Sequence, residues 1–209
     1  MVALMLDLKP QAVEELRKVD SYDFDIFKLR EFTDHNELVT ILPTLLVRHG
    51  LVSACNLDFG NLMSFVRKIA SGYKQVTYHN QTHAADVCQT FNYFVNDGGM
   101  KDILKLDNLE EASCLISAAL HDFEHPGVNN AFLVSMNDQI AIRHNDVSVL
   151  ENHHLAASFA LMTKHEGCNW AVKMSPNDFK RMRHVIIQTV LTTDMTKHFV
   201  ELGTVNSRI

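Results

Sequence analysis

The chain reads as an all-α domain. Three observations point there. Apolar residues recur at three- and four-residue intervals in most long segments, the period of a helix with one buried face. No run alternates apolar and polar residues over five or more positions, as a half-buried strand would. Asp, Asn and Ser stand before the periodic segments, and Gly or Pro stands after them.

Taken in order, Asp34-His35-Asn36-Glu37 has the form of a capping box ahead of Leu38, Ile41, Leu42, Leu45 and Leu46. Pro43 should kink or loosen that helix and Gly50 should end it. Asp58 should cap the next helix, which turns Phe59, Leu62, Met63, Val66 and Ile69 inward and ends at Gly72. A third runs from about Thr82 to Asn96 and stops at Gly98-Gly99. Asn108 should cap a fourth that leads through Leu115 and Ala119 to His121. Pro126 cannot extend it, so it should end inside the following histidine cluster. Asn129 or Asn130 starts a short helix over Phe132 and Leu133, and Ser148 opens another through His154 towards Gly167. Ser175-Pro176-Asn177-Asp178 starts the longest stripe, Phe179, Met182, Val185, Ile186, Thr189, Val190 and Thr193. No internal repeat or low-complexity linker divides the chain.

At 209 residues the chain has enough sequence for one domain with a substantial core. Its formal net charge of −6 and the lack of a basic run speak against a nucleic-acid surface. Cys55, Cys88, Cys114 and Cys168 form no CxxC pair and sit in or beside apolar stretches. They read as buried free thiols of a reducing compartment, so the expected location is cytoplasmic. Met1 to Asp7 has neither the basic start nor the long apolar run of a signal peptide, and no stretch approaches a membrane span. Asn80-Gln81-Thr82 matches a glycosylation pattern; between two site histidines it reads as a chance match.

Two histidine clusters carry the chemistry. One is Tyr78-His79-Asn80-Gln81-Thr82-His83; the other is His121-Asp122-Phe123-Glu124-His125-Pro126-Gly127. Each holds two histidines four positions apart, which share a face if the segment is helical. With 12 histidines in the chain a single such pair carries little weight. Two pairs, one with a carboxylate beside it, predict four imidazoles and a carboxylate around one point, donors suited to divalent metals.

These motifs are long enough to support a family resemblance. Tyr78-His79-Asn80 with His83-Ala84-Ala85-Asp86-Val87, and His121 through Asn130, resemble the two signatures of class I 3′,5′-cyclic nucleotide phosphodiesterase catalytic domains. Ser148-Val149-Leu150-Glu151-Asn152-His153-His154 and Thr193-Asp194-Met195-Thr196-Lys197-His198 match as well. The resemblance implies an all-helical, HD-like catalytic domain of which residues 1–209 form the N-terminal and central part. It implies metal-dependent hydrolysis of cAMP or cGMP to the 5′-monophosphate.

It also assigns roles. His83, His121 and Asp122 would bind the tighter metal, zinc, and Asp122 would reach a second metal, magnesium or manganese. His79 would protonate the departing 3′ oxygen. His125 would hydrogen-bond the water between the metals, and Glu151 would hold metal-bound water. Asn130 and Thr193 would order the site, although each also suits a plain cap or packing residue. His79, Asp122 and Met195 would touch substrate, with a core methionine the other reading of Met195. His153 and His154 are adjacent on a helix and are expected in the core or on the surface. Tyr78 would pack under the site.

The family's domain is longer than this chain and carries a further metal-binding Asp, a purine-holding Gln and an aromatic clamp. Asp138, Asp146, Asp178 and Asp194 lie in no matching motif for that Asp, with Asp194 the first alternative. The fragment alone is therefore expected to be weakly active or inactive. Its last long helix is expected to leave Val185, Ile186 or Val190 partly uncovered, which would favour self-association, and regulatory domains are expected in a parent protein. Two readings compete: an HD-type metal phosphohydrolase acting on another nucleotide, and a non-catalytic regulatory or interaction module.

Overall fold

A computed structural model describes residues 6–207. The first five residues, including most of the segment read for a signal peptide, and Arg208 and Ile209 lie outside the described residues. The elements are α1 (Pro10–Leu16), α2 (Ile26–Phe32), α3 (Glu37–Arg48), α4 (Leu51–Ala54), α5 (Phe59–Gly72) and α6 (Gln81–Asn92). A π turn, Tyr93–Asp97, continues α6. Then come α7 (Met100–Leu104), α8 (Asn108–Leu120), α9 (Asn130–Ser135), α10 (Gln139–Arg143), α11 (Val149–Lys164), α12 (Pro176–Leu191) and, after a short 3₁₀ turn, α13 (His198–Asn206). Among the described residues there is no strand, and no helix is long and apolar enough to cross a membrane.

The core forms around α8. Helices α6 and α12 pack on it, α3 packs on α6, and α5 closes one side. Leu38, Ile41, Leu42, Leu45, Leu62, Met63, Leu115, Ile116, Met182 and Ile186 fill the space between them and are almost fully buried. A smaller cluster of Leu133, Ala141, Val149 and Leu150 holds α9 and α10 against the start of α11. Cys55, Cys88 and Cys168 are buried free thiols, and burial pushes Cys55 up to about 11.

Several local expectations change. The box at Asp34 does not form: Asp34 and His35 take left-handed backbone angles, Asn36 precedes α3, and Glu37 turns inward. Asp34 instead accepts from Lys9 Nζ at 2.7 Å. The α8 cap is Asp107, one residue before Asn108, paired reciprocally with Glu110. Asn108 also has a glutamate three residues on, but Glu111 is buried and accepts from Lys101 Nζ and Asn96 Nδ2, which leaves Glu110 for the box. Pro43 does not break α3; Thr40 and Thr44 hydroxyls donate back along the helix around it. Val185 is half-buried, as expected for a partly uncovered helix, but Ile186 and Val190 are fully buried against the core. The uncovered apolar side chains lie later, on α13, at Phe199, Val200, Leu202 and Val205.

Candidate active site

The site forms where the start of α6 meets the end of α8. Asn80 caps α6: its Oδ1 accepts from the Thr82 and His83 amides at 3.0 and 3.4 Å. Its Nδ2 donates to the Val76 carbonyl at 2.9 Å, so this side chain is engaged on both sides. His79 therefore lies before the helix and His83 in its first turn. At the other end, α8 stops at Leu120; His121 is its C-cap, and the chain continues in turns with Glu124 and Gly127 at positive φ. Neither histidine pair lies on one helical face. The two clusters meet instead where two helix ends cross, the start of α6 being set by the Asn80 cap.

Packing fixes the second turn. A Cβ on Gly72 would meet the Phe123 ring at 2.3 Å, so only glycine lets α5 approach that closely. Tyr73 packs edge-on against Phe123, and its hydroxyl donates to the Ala119 carbonyl at 3.1 Å. These contacts set the direction of His121 and Asp122.

The donors converge. His83 Nε2 lies 3.3 Å from His121 Nε2 and 3.5 Å from Asp122 Oδ2, and His121 Nε2 lies 3.2 Å from Asp122 Oδ2. Zinc bonds of about 2.0–2.1 Å at tetrahedral angles separate neighbouring donors by about 3.3 Å. The spacing fits such an ion. His121 Nδ1 faces the Ala118 carbonyl at 2.9 Å and donates to it, which leaves the Nε2 lone pair for a ligand bond. Burial works against the Asp122 charge, but His121, His154 and His79 outweigh it and hold the carboxyl well below its usual range. Burial likewise opposes a charge on His121, yet Asp122 and the Ala118 carbonyl raise its pKa. His83 is pushed down to about 4 by burial, with His121 adding to the effect. A neutral imidazole is the form that ligates.

Asp122, His125 and His154 make a second group of close donors. Here the His125 tautomer is less suited, and His154 stands farther from the carboxylate. His125 Nδ1 accepts from the Gly127 amide at 3.0 Å, so its other nitrogen carries the proton and donates. His154 Nδ1 donates to the Phe123 carbonyl at 2.6 Å, and its Nε2 lies 3.8 Å from Asp122 Oδ1. The three rings His79, His125 and His154 stack in file, with centroids 3.9 and 5.6 Å apart. Burial lowers His125 to about 4 and His154 to about 3.

A cleft of about 890 Å³ opens over these groups, within the range of small-molecule sites. Glu151 lines it and accepts from Asn130 Nδ2 at 3.0 Å, while Asn130 Oδ1 accepts from the Leu150 amide at 2.9 Å. Burial, and then the nearby Asp194 and Asp122, raise the Glu151 pKa. Thr193 also lines the cleft, but its hydroxyl donates to the Val190 carbonyl at the end of α12. Met195 is 71% exposed on the rim, which removes its reading as a core methionine. Asp194 is buried and accepts from Ser148 Oγ, the Thr196 amide and Thr196 Oγ1 at 2.7–3.0 Å. It caps the 3₁₀ turn and does not join the donor group. Tyr78 is exposed and lies over His83, with ring centroids 4.5 Å apart.

Comparison with known proteins decides the family. A family profile described as 3′5′-cyclic nucleotide phosphodiesterase matches residues 78–209. The chain belongs to the 3′,5′-cyclic nucleotide phosphodiesterases. It is 40% identical over 195 residues to a high affinity cAMP-specific and IBMX-insensitive 3′,5′-cyclic phosphodiesterase 8 of Drosophila melanogaster, covering 93% of this chain and 21% of that protein. It is 38% identical over 199 residues to the dual specificity calcium/calmodulin-dependent 3′,5′-cyclic nucleotide phosphodiesterase 1C of Mus musculus, covering 94% of this chain and 28% of that protein. The crystal structure of the phosphodiesterase domain of the RhoPDE fusion protein from Salpingoeca rosetta superposes with a TM-score of 0.82 at 28% identity. That match covers 93% of this chain and 59% of the solved one. The chain thus spans about a fifth to under a third of the two curated relatives.

The phosphodiesterase cleft includes one residue that the sequence reading placed elsewhere. His154 is 1% exposed and faces Asp122, whereas its neighbour His153 turns to Glu124 Oε2 at 2.9 Å. The available signal was its position, four residues after Leu150 and next to Leu155 on a buried face of the helix.

Proposed function

We propose that residues 1–209 are part of a catalytic domain that hydrolyses a 3′,5′-cyclic nucleotide, cAMP or cGMP, to the 5′-monophosphate. The observation that carries this reading is the near-tetrahedral spacing of His83 Nε2, His121 Nε2 and Asp122 Oδ2 at the floor of the cleft. The family supports metal dependence; zinc on these three donors, and magnesium or manganese sharing Asp122, are our assignments. Bound there, such ions would neutralise the cyclic phosphate and lower the pKa of an attacking water.

The remaining residues take defined tasks. Water oxygen bonds to phosphorus, and the bond from phosphorus to the 3′ oxygen breaks. His79, half-buried at the rim and stacked on His125, gives its proton to that oxygen. A positioned proton on an alkoxide is worth about 10²–10⁴-fold. His125 donates from the nitrogen opposite its Gly127 contact towards the phosphate and its water. Glu151, fixed by Asn130, orders water on the far side of Asp122. Thr193 keeps the end of α12 in place, and Met195 offers an apolar face to the base. The free cysteines favour a cytoplasmic setting. The uncovered apolar face of α13 suits a second copy or a regulatory domain of a longer chain.

The test is zinc content together with product identity. Near-stoichiometric zinc and release of the 5′-monophosphate from a cyclic substrate, by this chain or a natural chain containing it, is the expected outcome. Hydrolysis of linear phosphoesters alone would overturn the proposal in favour of another HD-type phosphohydrolase.

A further inference from the structure

We propose that Glu37 is a positioning residue for the metal-binding histidines. It lies outside the cleft, at the first position of α3, and is fully buried. Its Oε1 accepts from the Thr82 hydroxyl at 2.6 Å. Thr82 sits in the first turn of α6, immediately before His83. A second bond runs beside it, from Gln81 Nε2 to the His35 carbonyl at 2.8 Å. The turn that opens α3 therefore grips the turn that opens α6 at two consecutive residues.

The grip falls where placement matters. A helix is rigid over one turn, so anchoring Thr82 fixes the backbone of His83, and the Asn80 cap carries the same constraint back to His79. His83 Nε2 must keep its 3.3 and 3.5 Å separations from His121 Nε2 and Asp122 Oδ2. Outer partners that orient ligands typically change metal affinity by about 10–100-fold.

Stability alone does not explain this side chain. Glu37 Oε2 is buried without a hydrogen-bond partner, and so is Gln81 Oε1. A half-satisfied buried polar group costs more than an apolar side chain of similar shape. A carboxylate at a helix start gains from the helix dipole, but a solvent-facing one gains that without the desolvation. A local cost in an otherwise consistent fold is expected at a functional element.

The proposal rests on the reading that His83, His121 and Asp122 hold an ion, and the experiment separates the two. Zinc is titrated against a chromophoric chelator on the 209-residue chain, with no turnover involved. Glu37→Ala and Thr82→Val should each weaken zinc binding about tenfold, and the double variant should lose no more than either, because both remove one bond. Glu37→Gln keeps an acceptor oxygen for Thr82 and should stay within about twofold of the unaltered chain. Leu16→Ala, a core truncation in α1, should lower the melting temperature and leave zinc affinity unchanged, which separates positioning from general loosening. Should Glu37→Ala fail to fold, Thr82→Val decides. No loss in Thr82→Val, or a loss in Glu37→Gln as large as in Glu37→Ala, overturns the proposal. Absence of zinc binding by the unaltered chain overturns the metal reading and the proposal together.

Discussion

His79 and His83 straddle the start of α6, whereas His121 and His125 follow the end of α8, His121 as its C-cap. The spacing is the same and the surroundings are opposite. At the start of α6 the free groups are amide donors, and Asn80 takes two of them. His83 is left without a backbone partner for its ring, and burial keeps it neutral. At the end of α8 the free groups are carbonyls, and the Ala118 oxygen takes the His121 Nδ1 proton. There the negative end of the helix favours a proton on the ring side facing it and leaves the other nitrogen open. The comparison teaches that local backbone groups, the Ala118 carbonyl at His121 and the Gly127 amide at His125, decide which ring nitrogen is available, and the four-residue spacing does not.

The outer and inner histidines should separate when turnover and zinc content are read together. In a form of the protein that hydrolyses a cyclic nucleotide, His79→Ala should lower the rate by about 10²–10⁴-fold while zinc content stays near that of the unaltered protein. A p-nitrophenyl phosphodiester, whose leaving group needs no proton, should lose far less. Equal losses on both substrates would merge His79 with the metal-holding pair and break the comparison.

Metal affinity should separate the pairs from the other side. His121→Ala should weaken zinc by at least about 100-fold, since it removes one of three protein ligands. His125→Ala, by contrast, should retain most of the zinc, because the Gly127 contact commits that ring to donating. Elemental analysis checks both, and unchanged zinc in His121→Ala would rule the ligand assignment out.

Acid should reveal which rings are held neutral. In the metal-free protein His83, His125 and His154 titrate near 4, 4 and 3, well below an ordinary histidine, because burial disfavours their charge. The unfolded chain takes up protons on these three below about 6.5. Between that pH and about 4 the unfolded state therefore binds more protons, so stability is full above the window and falls as pH drops through it. His144, also lowered, acts in the same sense, and His121 and Glu151, both raised, act in the opposite one, so the depressed histidines are the larger set. Urea midpoints that stay flat from pH 7 to 5 would contradict this balance.

The smallest effect belongs to the cap. Asn80→Ala should cost about 1 kcal/mol of stability by removing the amide acceptor at the start of α6. Asn80→Asp should recover only part of it, because an aspartate accepts the amide bonds and suits the positive helix end but cannot donate to the Val76 carbonyl. Thermal unfolding of the two variants reads the difference.

The all-helical fold and the helix starts at Asp58, at Asn129 or Asn130, and at Ser175 were legible in the sequence, because capping and periodicity are local properties, whereas α8 ends at Leu120, before the cluster that Pro126 was expected to interrupt. His83, His121 and Asp122 stand in uninterrupted motifs, and the structure brings these three side chains together. The domain's helix count around the clusters was not legible in detail, since the π turn after Asn92 and the one-residue shift to the Asp107 cap depend on competing local partners of similar strength. What only the tertiary structure decided is which distant groups face each other. His154 and His153 are neighbours of identical chemistry, and only the packing of α11 against the Phe123 turn sends one to Asp122 and the other to Glu124. Glu37 reads locally as the end of a capping box; its inward turn to Thr82 follows from α3 packing on α6, some forty-five residues away in sequence. Sequence sets the chemistry each side chain offers and the local path of the chain. The pairing of helix ends, which sets tautomer, burial and charge, arises from burying the apolar faces of those helices together.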